Sequence, residues 1–145
     1  MGEQPVVLGL RLQEDRMILH AVCLTFPGLK TKPRNAQRFA SRGGVYAAAA
    51  ETKRIVTHVA AVTRREVPAR LFGKLPTKAR VIRISAGELD HGGMWEASKP
   101  VWDGLAQGLG LADDRELQRP PRGDVVQEWC RRKEGGLRVE LEWEE

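Results

Sequence analysis

Residues 88–114 read ELDHGGMWEASKPVWDGLAQGLGLADD, and the way this stretch divides decides the fold. Glu88 and Asp90 are carboxylates at alternate positions, placed after the strand-like run 80–85 and before the break at Gly92 and Gly93. From Met94 to Leu109 the apolar residues Met94, Val101, Leu105 and Leu109, with Trp95 and Trp102 beside them, recur near helical spacing and stop at Gly110, which predicts a helix. Lys99 and Asp103 stand four apart and share one face of that helix. Asp113 and Asp114 close the stretch after the apolar step Leu111 and Ala112. If the helix folds back over the sheet, the strand end and the aspartate doublet become neighbours beside Lys99. Carboxylates gathered in this way repel unless a proton or a cation joins them, and hard oxygen ligands suit Mg²⁺.

In this order of residues (acidic-x-acidic, a helix carrying lysine with aspartate four on, then a hydrophobic step into Asp-Asp) the chain resembles the RusA family of Holliday junction resolvases and their phage relatives. The likeness is strongest over the last third of the chain. It implies a single α/β (α+β) domain over residues 1–145, a mixed sheet with two main helices, and a homodimer whose two-fold symmetry matches a four-way junction. It implies Mg²⁺-dependent cleavage of branched DNA, with Mn²⁺ as a possible substitute. Residue by residue, Asp90, Lys99 and Asp114 match the catalytic positions, Asp90, Asp113 and Asp114 the metal-holding ones, and Asp103 a supporting position that orients Lys99. Where the family pattern has its second aspartate and an asparagine, this chain has Gly92 and Gly93. Glu88 or His91 could fill that gap, although imidazole is a poor ligand for Mg²⁺. A binding module of the same fold, without cleavage, therefore stands as the alternative, as does a phage accessory protein with a merely solvated acidic cluster.

At 145 residues the chain fits one domain with its own core. The net charge of +5 predicts an anionic partner, and its distribution is uneven. Lys30, Lys32, Arg34, Arg38 and Arg42 fall in a segment without an acidic residue, whereas Glu140, Glu142, Glu144 and Glu145 crowd the far end. The basic segment is a candidate phosphate-contacting loop, with a solvated loop as the bland reading. Cys23 and Cys130 lie far apart without ligand spacing, so they read as buried free thiols of a cytoplasmic protein. No stretch resembles a signal peptide or a membrane span.

Elsewhere, residues 6–12 and 17–26 read as an early hairpin ending at Pro27 and Gly28. Residues 45–65 read as a helix, with Ile55, Val59 and Val62 on its apolar stripe and His58 as a structural residue. Residues 125–133 and 137–143 read as a hairpin turning through Glu134, Gly135 and Gly136. Trp95 and Trp102 read as core or dimer contacts rather than base-stacking platforms.

Overall fold

The structure is a computed structural model that describes residues 19–31, 42–87, 89–131 and 135–144. Strand β1 spans Leu19–Pro27, and helix α1 spans Arg42–Glu66. A 3₁₀ turn at Ala69–Leu71 leads into strand β2, Lys78–Ser85. Helix α2 covers His91–Leu109, and the one-turn helix α3 covers Arg115–Gln118. Strands β3, Gly123–Trp129, and β4, Gly136–Glu144, complete the set. The expected mixed α/β architecture with two main helices is thus present. The first arm of the early hairpin lies outside the described residues.

The four strands run in the order β1-β4-β2-β3. Strand β4 is antiparallel to both β1 and β2, while β3 runs parallel to β2. The expected hairpin between residues 125–133 and 137–143 does not form, because β2 is inserted between its two arms. The glycines of the supposed turn serve another purpose. A Cβ on Gly135 would lie 2.9 Å from the Ile84 carbonyl, and one on Gly136 would lie 2.9 Å from the Phe26 carbonyl. Only glycine lets the chain enter between β1 and β2 at this point.

Strand residues alternate between two faces. Leu24 and Phe26, Ala79 and Val81, Val125, and Leu137, Val139, Leu141 and Trp143 all turn towards the helices and are buried. Each aliphatic side chain buried there contributes roughly 1.5–3 kcal/mol. The opposite face carries a ladder of charge in which Arg80 pairs with Glu140, and Arg138 with both Glu140 and Glu128. Ile82, on that same face, is nevertheless buried. Cys23 is exposed and Cys130 only half-buried, which corrects the expectation of two buried thiols. Both lie at the sheet's surface, one on an outward position of edge strand β1 and the other just past β3.

Helix α1 adds Ile55, Val59, Ala60 and Val62 to the core, and helix α2 adds Ala97, Val101, Trp102, Leu105, Ala106 and Leu109. The two helices meet where α2 has glycine at successive turns. A Cβ on Gly104 would lie 2.7 Å from Val59 Cβ, and one on Gly108 would lie 2.6 Å from Thr63 Cβ. Helix α2 begins three residues before its apolar stripe, at a cap described below, and so takes in Gly92 and Gly93. It ends at Gly110, whose φ of 76° is the left-handed conformation of a helix stop. The buried indoles satisfy their N–H groups: Trp102 Nε1 donates to Ser98 Oγ, and Trp143 Nε1 to the Lys74 carbonyl. Among the described residues no helix is long and apolar enough to cross a membrane.

Candidate functional site

Strand β2 leads through residues 86–89 to Asp90, which takes an extended conformation and caps helix α2. Asp90 Oδ1 accepts the Gly93 N–H at 2.6 Å. This is the ordinary task of aspartate before a helix. A Cβ on Gly93 would approach that oxygen to 2.9 Å, so the cap and the glycine fit one another. Gly92 is different, since a Cβ there would meet the same oxygen at 3.9 Å, an ordinary contact. His91 is exposed, and its Nε2 accepts the Trp95 Nε1 proton at 3.0 Å, which leaves Nδ1 as the ring's other nitrogen. Trp95 in turn stacks on buried Trp102, with ring centroids 5.8 Å apart and planes 12° from parallel. Trp95 is therefore partly a core residue. Beyond it, His91 and the segment 118–124 border an open cavity of about 670 Å³.

A second acidic locus lies further along α2. The half-buried Asp103 carboxyl meets Asp114, which stands at the entrance to α3 and is itself buried. Burial first, and then the hydrogen bond and charge of Asp114, push Asp103 up to about 6, against a weaker opposing pull from Lys99. Two ionised carboxylates hold no proton to share, and Asp114 Oδ2 is buried without a donor. Either a proton on Asp103 or a cation between the two acids resolves the conflict. Lys99, exposed one turn before Asp103, supplies positive charge at the rim.

The doublet thus divides its labour. Asp113 is exposed and bound by its neighbour Arg115, from the backbone N–H to Oδ1 at 2.9 Å and from Nη2 to Oδ2 at 3.0 Å. That guanidinium holds Asp113 below the usual carboxylate range. Asp103, expected to orient Lys99, faces Asp114 and also feels the Lys99 charge.

The strand end and the doublet do not become neighbours within one chain. Asp90 and Asp103 are separated by thirteen residues of continuous helix, a rise of about 20 Å. A cap at the first turn cannot fold back to the fourth. Among the described residues no group of three histidine, cysteine, aspartate or glutamate side chains converges on a common point. Glu88 lies outside the described residues, as do Lys32, Arg34 and Arg38. Arg42 is the first residue of α1, and Lys30 is exposed where the chain leaves β1.

Two further residues carry signals that motif reading passes over. Arg83 occupies a helix-facing position of β2, in phase with Ala79 and Val81, where an apolar residue is the rule. Trp129, at the end of edge strand β3, is 72% exposed. Comparison of the chain with protein-family models and with curated proteins returned no match.

Proposed function

We propose that the chain is a RusA-like, Mg²⁺-dependent endonuclease of branched DNA, working as a homodimer in the cytoplasm. One observation carries this reading: the half-buried Asp103 carboxyl faces the buried Asp114 carboxyl beside Lys99, and Asp114 Oδ2 has no donor among the described residues. The donor set is all-oxygen and anionic, which fits Mg²⁺ or Mn²⁺. Asp103 and Asp114 would hold the ion once the proton has left, and Lys99 would meet a phosphate oxygen. When bound, the ion supplies Lewis-acid stabilisation and an activated water. Lys30 and the basic segment after it contribute sequence-independent phosphate contacts, so binding weakens as salt rises.

The binding-module reading is favoured by a separate observation. Asp90, the family's first acidic position, is engaged as a helix cap about 20 Å from Asp103 along the helix.

A synthetic four-way junction with Mg²⁺ or Mn²⁺ separates the two readings. A bound metal contributes several kcal/mol to phosphodiester hydrolysis, so Asp114→Asn lowers nicking by about a hundredfold or more. Asp90→Asn, which preserves the cap, leaves the fold intact and reports whether Asp90 takes part in the reaction. Gly92→Asp places the family's second carboxylate at a position with room for it, but eleven helical residues and about 16 Å from Asp103, so it leaves nicking unchanged if Asp103 and Asp114 hold the metal, and raises it only if the reaction runs at the Asp90 end of α2. Junction binding without nicking by wild type and by Gly92→Asp would establish the module instead.

A further inference from the structure

At one end of the sheet, β1 departs through Gly28 and Lys30, β2 and β3 finish, and β4 begins. The backbone here encloses a cavity of about 290 Å³ bordered by Lys30, Thr31, Arg83, Ser85, Gly87 and Gly136, and among the described residues no carboxylate lines it. Arg83 enters this cavity from the helix-facing side of β2. Its Nη1 donates to the Gly87 carbonyl at 2.9 Å and to Gln127 Oε1 at 3.0 Å, both neutral acceptors. Arg80, Arg115 and Arg138 each pair with an acid, but Arg83 has no such partner among the described residues. Among the described residues nothing accepts from its Nε or Nη2, and burial depresses its pKa with no described anion to offset it. A half-desolvated cation with unused donors, beside a second cation, is built to receive an anion.

Trp129 lies next to this cavity. Ser85, on the rim, is its register partner, and the Cys130 N–H donates to the Ser85 carbonyl at 3.3 Å. Because Arg83 pairs with Gln127 and Ser85 with Trp129, the indole emerges on the same side of the sheet as Arg83. An indole 72% exposed at the end of an edge strand leaves a large aromatic surface in water. Aromatic surface next to a phosphate-sized cationic cavity is the pairing that single-stranded nucleic acid requires.

We propose that this end of the sheet binds a nucleic-acid single strand, with Arg83 and Lys30 taking one phosphate in the cavity and Trp129 stacking an adjacent unpaired base. The inference rests on the DNA-directed reading above for its choice of anionic polymer, and it assigns a strand-holding site distinct from Asp103 and Asp114.

The test is fluorescence anisotropy of a labelled oligothymidylate titrated with the full chain in EDTA. Wild type binds. Arg83→Gln weakens binding about tenfold and lowers the slope of log K against log salt by about one, while Arg83→Lys recovers part of the loss. Trp129→Ala weakens binding about tenfold, with less effect on the salt slope. Thermal melts establish that each variant is folded. Wild-type affinity and salt slope in folded Arg83→Gln overturn the proposal, as does a protein that binds inorganic phosphate but no oligonucleotide. Because EDTA removes metal and the strand is unbranched, failure to cut junctions sinks the nuclease reading alone. Loss of Arg83 dependence sinks this proposal alone.

Discussion

The conflict between Asp103 and Asp114 has a thermodynamic signature. Asp103 holds its proton more tightly in the native state, at about 6, than at its ordinary value of 3.8. Between those values the folded chain binds more protons than the unfolded chain, so this residue's contribution to stability falls as pH rises through the window. Above it the pair remains a destabilising feature. We therefore expect Asp103→Asn to melt a few degrees higher than wild type at pH 7, with the difference vanishing near pH 4; thermal melts across that range check it. At pH 7, Mg²⁺ should raise the melting temperature of wild type and leave Asp103→Asn unmoved, since a cation that binds only the folded pair stabilises it by mass action. From the sequence alone, the spacing of Lys99 and Asp103 placed them on one face of the helix, and the family resemblance implied that Asp103 orients Lys99. Asp114 outweighs Lys99 in its effect on Asp103 because Lys99 is exposed and its charge is screened, whereas Asp114 is buried and acts through a lower effective dielectric. Burial of an aspartate after a glycine-terminated helix leaves no mark in spacing.

Between elements, the contact of α1 with α2 depends on missing side chains. At Gly104 a methyl would press on Val59 Cβ at 2.7 Å and on the Val56 carbonyl at 2.8 Å, neither of which can swing aside. Alanine has the better helix propensity by about 1 kcal/mol, yet overpacking costs about 1–3 kcal/mol, so the clash prevails. Gly104→Ala should lower the urea midpoint without changing the slope of the transition. An increase would mean that the helices have room to separate. The periodic stripes of both helices were legible, as were strands β2 and β4 from alternation and the helix stop at Gly110. Strand partners were not. Alternation at Leu137, Val139 and Leu141 shows which face of a strand is buried but not which neighbour it pairs with. Gly135 and Gly136 look alike whether they bend a hairpin or admit a crowded backbone. The residues that cap α2 were present in the motif, but Asp90 was read for its charge rather than for its hydrogen bond to Gly93.

Across the whole molecule, stability converges on β4, where Leu137, Val139, Leu141 and Trp143 are all buried. Val139 lies between Leu24 of β1 and Val81 of β2. Val139→Ala should cost about 1–3 kcal/mol by urea denaturation, whereas Thr25→Ala, exposed on edge strand β1, should stay within about 0.5 kcal/mol. Equal losses would show that the central strand carries no special share. The strand order also bears on how the protein is made. Strand β4 follows every other described element along the chain, yet it is inserted between two of them. At the usual pace of translation, β1 waits roughly ten seconds after leaving the ribosome before its partner exists. During that interval Leu24 and Phe26 lack their β4 neighbours Val139 and Leu137, leaving a strand edge unpaired that a chaperone can shield until synthesis is complete.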